Sequence, residues 1–593
     1  MELAKAGRDF LIVEKDNQVG GLAKTYIFKE GDLIFRTDNG PHRFYSKNPK
    51  LYDFIEGLLQ EKWTEVKRQT RQYIGGKFYH YPVRPLEALL SVGPRRAARM
   101  VFDWLTAQIK YKILRRPIVS FEDYIVANFG RSLGRFNIIN YTEKVWGVPA
   151  STIHPDWAKQ RIRGLSIGFL IKAALGSALG VFQTQPLRTL VDVFHYPEQG
   201  TGLIYETIKE NLEKMGYQIH LNSYPVRIRH NGPRITEVAL NNNGQQLFAS
   251  PRYLVESIPI KEFLDLLDPS PPKEILAAQK KINYRDQVYL FMTLDKDYVT
   301  GDQWIYFPEI HIPIGRISEM KNFSQKMSPH GKTSLFVEFF CFEGDEIWNK
   351  SKEELLELVV SYLEPLGFIQ RSEVRNSYLI KQKKVYPIYD LNYKEYIGLV
   401  KNYLDQFENL FYIGRPGRFR YNNQDHSLEM GFMAARSIVD GRRYDLNEIG
   451  AEEEYQERGH IKGELPKVDI RFSLYIVFAG IATIVDFLIL FVLTDIFKIW
   501  YFLSAVVSYL AGMVINFSLN KWFNFNNQSR RVFSQFGIFA GVAVIGLGIN
   551  QLILYFLVET AGWHYLLAKA ASVFIVMWWS FWGHKHATFA WIK

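Results

Sequence analysis

What this chain has little of narrows it first. Cysteine occurs once in 593 residues, at Cys341, so neither an intramolecular disulfide nor a thiolate metal cluster is expected. The N-terminus lacks the charged start, apolar core and small-residue cleavage site of a secretory signal. Although the formal charge is +11 and the pI near 9.2, no basic run is interleaved with exposed-looking aromatics and no nucleic-acid motif appears. Nucleic acid is therefore not an expected partner. A membrane protein facing anionic lipid, or one handling phosphorylated substrates, accounts for the charge.

Long apolar runs, by contrast, are present. Four lie beyond Arg471, at Phe472–Leu493, Phe502–Leu519, Phe536–Val558 and Leu566–Phe581. Each is close to the roughly 20 residues that cross a bilayer. The segment repeats with an offset of 64 residues: Leu488-Ile489-Leu490 matches Leu552-Ile553-Leu554, Tyr501 matches Tyr565, Lys521 matches Lys585, and Asp486 falls on Asn550. Two spans per unit give both repeats the same orientation. Lys467, Arg471, Lys521, Arg530, Arg531 and Lys585 sit on one side, while the opposite loops hold one Lys and no Arg. Positive-inside then places both termini and the soluble body in the cytoplasm, at the inner membrane. Asp486, Asn516 and Asn550 are polar groups set in these spans. Each reads equally as a functional group or as a helix-packing hydrogen bond.

Phe478-Ala-Gly-Ile-Ala-Thr-(x)2-Asp486 followed by Asn516-Phe-Ser-Leu-Asn-Lys-Trp-Phe-Asn-Phe525 resembles the GtrA-like family. The resemblance covers 471–593. It implies an all-α, four-helix transmembrane domain that handles polyprenyl-phosphate sugars and membrane lipid in surface-polysaccharide synthesis, with glycosyltransferases as possible partners.

At the other end, Asp9-Phe-Leu-Ile-Val-Glu14 reads as a short buried parallel strand ended by an acid. At that place in a dinucleotide fold the acid hydrogen-bonds a ribose. Gly20-Gly21 lets backbone approach a pyrophosphate or flavin without a Cβ in the way; a surface turn is the plainer alternative. A Gly-x-Gly-x-x-Gly turn should stand about 20 residues before that acid, yet only Met1–Gly7 precedes the strand, and Glu2–Gly7 reads as a helix tail. A late start codon or a truncated gene is the expectation, with an open sheet and weak dinucleotide binding.

Glu14-Lys15-(x)4-Gly20-Gly21-Leu22-Ala-Lys-Thr25 resembles the flavin-binding opening of the UDP-galactopyranose mutase and amine-oxidase-like flavoproteins. Gly40-Pro-His42-Arg-Phe-Tyr-Ser46 resembles the mutase loop that carries a His, Tyr141-Thr-Glu-Lys-Val-Trp-Gly147 the segment next to its substrate lid, Ile312-Pro-Ile-Gly-Arg316-Ile-Ser-Glu319 its Val-Pro-Tyr-Thr-Arg-x-x-Glu strand, and Gly414-Arg415 leading to Tyr421-Asn-Asn423-Gln-Asp425-His-Ser427 its second flavin-contacting motif. Tyr45, Ser46 and Gln424 depart from the pattern. The likeness spans 1–440. It implies an α/β, Rossmann-like FAD-binding flavoprotein with a helical and β substrate lobe. It places His42 against the flavin, with FAD held by Glu14, Lys15, Gly20, Gly21, Leu22, Gly40, Val226, Gly414, Arg415, Tyr421, Asn423, Asp425 and Ser427.

A sugar diphosphate needs paired cations, and guanidinium forks suit phosphate. Arg316 is the motif candidate, with Arg161 or Arg163 as its partner; for Arg161 a solvated surface residue is the alternative. Tyr386 and Tyr389 can hydrogen-bond phosphate or sugar, or can be plain core; Trp146 can stack on uracil, or simply pack. Residues 54–181 are mostly helical by period, and 441–470 reads as a charged, solvated linker. The expected activity is that of a flavin-dependent sugar-nucleotide isomerase working with reduced FAD on a UDP-sugar beside a membrane. The alternatives are a protoporphyrinogen-oxidase or amine-oxidase type of oxidoreductase, and a non-enzymatic membrane protein carrying a relic flavin fold.

Overall fold

A computed structural model of the chain describes residues 1–46, 48–81, 87–88, 91–158, 193–449, 471–525, 527, 529, 531–563 and 565–589. These fall into two compact units, one before and one after 450–470, and each is described by itself.

The first unit is organised by the strand Tyr284–Leu294, in which all eleven residues are buried. Side chains alternate along a strand, and both faces here are covered. Val288, Leu290 and Met292 join a core with Leu355, Val359 and Leu363 of the helix Lys352–Leu363. Tyr289 and Phe291 face a second core with Phe35, Tyr196 and Phe336. The strand lies in a seven-stranded sheet, in the spatial order 374–387, 284–294, 333–341, 316–319, 304–306, 70–74, 77–80. Neighbours are antiparallel except Trp304–Tyr306 against Thr70–Ile74.

The dinucleotide-fold strands form two separate parallel pairs. Ile12–Val13 pairs with Ile219–His220, and Leu254–Glu256 pairs with Leu410–Tyr412; the pairs are not hydrogen-bonded to each other. The sheet is open, as the sequence leads one to expect. A short helix, Glu2–Lys5, precedes the first pair.

Two expectations need correction. The stretch from 54 is not mostly helical at its start, because Trp63–Lys67, Thr70–Ile74 and Lys77–His80 are strands. Thr70, Gln72 and Ile74 are buried while Arg71 and Tyr73 are less so, a period of 2 that a helical reading overlooks. Helices follow at Pro94–Gln108, Phe121–Phe129, Arg131–Phe136 and Ile138–Trp146, and 159–192 lie outside the described residues. The start of the charged linker is exposed at most positions but not at Leu446 and Ile449, which are buried with Phe411 and Met430. The remainder, 450–470, is outside the described residues.

The second unit contains the helices Arg471–Phe491, Tyr501–Leu519, Val532–Tyr555 and Tyr565–Gly583, each ending in a five-residue π turn, at 492–496, 520–524, 556–560 and 584–588. The offset of 64 read from the sequence maps the first two π turns and the helix Tyr501–Leu519 onto their counterparts residue for residue. Two stretches, Leu474–Ile496 and Val532–Asn550, are long and apolar enough to cross a bilayer by length and composition. Small residues set the helix contacts, as expected in lipid. A Cβ on Gly512 would stand 3.2 Å from the Ala482 carbonyl oxygen and from Asp486 Cβ. In the second repeat the equivalent of Gly512 is Val576, and it is the equivalent of Ala482, Gly546, that has no side chain; a Cβ there would meet Val576 Cγ1 at 3.3 Å. The small residue has moved to the facing helix.

Candidate active site

Strand register builds the site. Tyr306, Arg316, Glu338 and Tyr289 are directly opposite one another on four adjacent strands, and Gln72 continues the row beyond Tyr306. Directly opposite residues share a face, so these groups form one polar line across the sheet. Arg316 meets Glu338 through two parallel bonds, Nε to Oε1 at 2.6 Å and Nη2 to Oε2 at 2.7 Å. Its remaining edge, Nη1, lies 3.4 Å from the Tyr306 hydroxyl. Glu338 is fully buried and also accepts from Gln287 Nε2 at 3.3 Å; the Tyr289 hydroxyl donates to Gln287 Oε1 at 2.8 Å. Burial opposes the charge on Arg316, but Glu338 more than offsets it, and the guanidinium stays protonated.

The helix Ile138–Trp146 closes over this row. Tyr141 lies edge-on to Tyr306 and Phe340, with ring centroids 5.3 and 6.3 Å apart. Lys144 ties the helix down by donating to the carbonyls of Phe307, Ile312 (2.7 Å) and Ile314 (3.1 Å), in the turn that leads into Arg316. Burial pushes the Lys144 ammonium down to about 7. Trp146 is 1 % exposed and packs among Trp157, Tyr386 and Tyr389; in this structure it is packing rather than an open stacking surface.

A second cluster stands beside the row. Tyr386 and Tyr421 stack with centroids 5.6 Å apart, and the Arg415 guanidinium lies over both rings, at 5.5 and 4.7 Å. Arg415 donates to the Asn422 carbonyl through Nε (2.9 Å) and Nη2 (2.6 Å), closing the turn that presents Tyr421. The Tyr389 hydroxyl accepts the Tyr421 backbone N–H at 2.6 Å. Tyr389 therefore braces the Tyr421 segment, whereas Tyr386 sits within the polar cluster. Arg163, the proposed partner of Arg316, lies outside the described residues.

His42 joins the flavin-motif segments. Its Nε2 lies 2.9 Å from the Leu22 carbonyl. A carbonyl only accepts, so Nε2 carries the proton, and Gly20-Gly21-Leu22 is bound to Gly40-Pro41-His42. Burial first, then the charges of Arg415 and Arg316, hold the His42 imidazole down at about 4. Both guanidiniums thus act on this ring, and it is neutral at physiological pH.

These segments fit a flavin. Gly20, Gly21, Gly40 and Gly414 have φ of 106°, 54°, 84° and 74°, conformations that favour glycine, and the side of Gly21 where a Cβ would stand is open. Asn422 Oδ1 and Gln424 Oε1 are buried acceptors with no hydrogen-bond partner among the described residues, and a hydrogen-bonding heterocycle can satisfy them. They flank Asn423, which caps the helix Gln424–Asp440 in a reciprocal box with His426. Asp425 is buried in the first turn of that helix, and the Ser427 hydroxyl bonds back to the Asn423 carbonyl at 3.3 Å. The strand expected over 9–14 is shorter and less covered: Ile12–Val13 is half-buried, Glu14 follows it, and the Glu14 Oε1 accepts the Asp16 N–H at 3.0 Å. Lys15 is exposed. Val226 is skipped by the register shift between Arg227↔Ala239 and Pro225↔Leu240 and is 42 % exposed. A separate cavity of about 290 Å³, lined by Lys110, Tyr111, Arg116 and Arg131 among others, contains none of these residues.

Glu338, Tyr306, Gln72 and Tyr289 are absent from the sequence-derived set. One signal was available for Glu338: it is the lone charge in the run Thr333–Cys341, where the other residues are apolar or small. In the second unit, Asp486 is half-buried beside Gly512. Asn516 accepts from Asn520 at 2.8 Å and Asn520 from Asn524 at 2.9 Å, a helix-stabilising ladder. Asn550 is 7 % exposed and its Oδ1 has no hydrogen-bond partner among the described residues. Among the described residues no cluster of His, Cys, Asp and Glu suits a metal ion.

Comparison with known proteins matches residues 1–388 to the flavin containing amine oxidoreductase family and residues 474–589 to the GtrA/DPMS transmembrane domain. Among solved structures, a reduced UDP-galactopyranose mutase superposes with a TM-score of 0.64 at 19 % identity, covering 77 % of this chain and 96 % of that one. A provisionally assigned protoporphyrinogen oxidase from Exiguobacterium sp. 255-15 gives 0.54 at 15 % identity, covering 74 % and 94 %. A redesigned putrescine oxidase gives 0.50 at 14 % identity, covering 74 % and 95 %. These likenesses are of fold.

Proposed function

This chain belongs to the flavin containing amine oxidoreductase family and carries a GtrA/DPMS transmembrane domain, and from that premise we propose that it is an FAD-dependent sugar-nucleotide isomerase of the UDP-galactopyranose mutase type. Its soluble unit (1–440) works at the cytoplasmic face of the membrane, joined through 441–470 to a four-span domain (471–593) that handles the polyprenyl-linked sugar of a surface glycan.

The observation that carries this reading is the composition of the site. Two guanidiniums, Arg316 and Arg415, act on the same half-buried histidine, and the phenols of Tyr141, Tyr306, Tyr386 and Tyr421 surround them. The described carboxylate in the row, Glu338, is already held by Arg316. Such a site favours an anionic, polyhydroxylated substrate. It repels a cationic amine, which would gain no free carboxylate.

FAD would be held by Glu14, Gly20, Gly21, Gly40, Gly414 and the 421–427 turn, with His42 beside it, and when bound it supplies the nucleophilic and redox chemistry. The protein's own part is positioning. Arg316, kept charged by Glu338, presents its Nη1 edge for a diphosphate oxygen. Tyr386 and Tyr421, aligned by Arg415 and Tyr389, offer hydroxyls to the sugar. His42, neutral and with its proton on Nε2, holds the Leu22 segment without adding positive charge. Tyr141 and Tyr306 wall the row against water.

The test is a titration of detergent-solubilised full-length protein, following its flavin spectrum. UDP-galactopyranose should perturb the spectrum saturably and reversibly, free UDP should compete, and a primary amine should have no effect. Anaerobic bleaching by an amine, with no response to UDP-sugars, would replace this reading with the oxidase one.

A further inference from the structure

The soluble unit carries an apolar helix face that is exposed among the described residues. The helix Pro94–Gln108 runs on into a π turn at Ile109–Ile113, together about 30 Å long at 1.5 Å per residue. One face packs inward through Met100, Trp104 and Ala107, and the Asp103 carboxylate fixes it by accepting the Ser132 N–H at 3.1 Å. A different face, at spacings of three and four, shows Val101, Phe102, Leu105 and Ile109 to solvent, at 43, 66, 42 and 50 % exposure. Leu114 and Val119, just beyond the helix, are 72 and 63 % exposed.

Charge brackets this strip at both ends. Arg95, Arg96 and Arg99 are exposed in its first turns, and Lys112, Arg115 and Arg116 are exposed at its far end. The acids nearby are turned to the protein: Asp103 to Ser132, and Asp123 to Tyr111 and Ser120. An apolar strip with aromatic and branched side chains, flanked at both ends by Lys and Arg, has the composition of a helix lying in the headgroup layer of an anionic bilayer. The transmembrane domain keeps the whole protein at such a surface.

We propose that residues 94–119 form an interfacial docking surface by which the soluble unit rests on the anionic lipid of its own membrane, with Phe102, Leu105 and Ile109 entering the acyl boundary and the flanking arginines and lysines on lipid phosphates. The surface does not depend on what the active site does, so it stands or falls separately from the proposed reaction.

Cysteine labelling tests it on the full chain. Cys341 is the single native thiol and is 1 % exposed, so a probe placed through Leu105→Cys, and separately Phe102→Cys, reports its own site. Glu353→Cys, exposed on the helix Lys352–Leu363, is the aqueous control. In nanodiscs of phosphatidylcholine with phosphatidylglycerol, nitroxide-bearing lipids should quench the Leu105 and Phe102 probes at least threefold more than the control, and iodide should reach them less. Changing Arg95, Arg96 and Arg99 together to Gln should lower the lipid quenching at least twofold, since each basic residue near an anionic surface contributes about fivefold. Iodide access equal to the control would overturn the proposal. So would shielding from iodide without lipid quenching, which would mean that protein, from this chain or a second copy, covers the face. Quenching indifferent to the three arginines would overturn the anionic assignment.

Discussion

Arg316→Ala should damage the fold of the soluble unit before it damages any substrate contact. The guanidinium makes two bonds to Glu338, at 2.6 and 2.7 Å, with side-chain exposures of 16 and 1 %. Removing it leaves a fully buried carboxylate with Gln287 Nε2, at 3.3 Å, as its remaining side-chain donor among the described residues. Stranding one partner of a buried pair costs about 3–5 kcal/mol. For a unit of this size, at about 2.1 cal/mol/K of unfolding entropy per residue, that corresponds to a fall of roughly 3–5 °C in apparent melting temperature. Tryptophan emission during heating of the full chain in detergent reads this directly. The second variant separates charge from packing: Glu338→Gln in the Arg316→Ala background removes the stranded charge while keeping the shape, and should restore at least half of the lost stability. UDP-sugar affinity should stay low in both, because neither has the Nη1 edge. If Arg316→Ala melts with the wild type, or the double variant melts below the single one, the closed pair does not organise this site and the reasoning fails.

Other consequences follow from the same structure. Lys144→Met strands three carbonyls in the turn before Arg316 and should cost about 2–4 kcal/mol; thermal denaturation checks it, and a loss under 1 kcal/mol would contradict the anchoring role. His42 titrates near 4 in the folded chain against 6.5 when free. Its folded value is the lower one, so it contributes nothing above pH 6.5, and stability is lost as pH falls from 6.5 to about 4 because the unfolded chain takes the proton first. The loss is at most about 3 kcal/mol, less for whatever solvent reaches the ring. His42→Gln should flatten that acid limb, and parallel limbs would refute the assignment. In the membrane unit, Gly512→Val should destabilise the Arg471–Phe491 and Tyr501–Leu519 pair by about 1–3 kcal/mol through overpacking. Ala482→Gly added to it recreates the Gly546–Val576 arrangement of the second repeat and should recover most of the loss, as read by heat-induced aggregation in detergent.

How far the sequence could be read depended on whether the information was local. The apolar runs, the offset of 64 and the Gly20-Gly21 and Gly40-Pro41-His42 turns are written in contiguous residues, and the structure places them where they were expected. The row Gln72–Tyr306–Arg316–Glu338–Tyr289 was not legible, because it depends on register between strands far apart in the chain. Arg316 could be named from its motif, but not the carboxylate that occupies its fork. Tyr389 and Trp146 look alike as aromatic candidates in sequence; only packing shows that one braces the Tyr421 amide and the other fills a core. Strands 63–80 were misread because short alternating segments among helical patterns carry little periodic signal. Leu446 and Ile449 were lost in a charged neighbourhood whose net composition hides two buried side chains.

The central claim is that this site rearranges a sugar nucleotide without net oxidation, and turnover under controlled redox state tests it most directly. Full-length protein in nanodiscs, its flavin chemically reduced under anaerobic conditions, should convert UDP-galactopyranose to the furanose form, with no oxidant consumed and the flavin still reduced at the end. The same preparation left oxidised should do nothing. Stoichiometric bleaching of the oxidised flavin by an organic substrate, with no sugar isomer formed in either state, would contradict it.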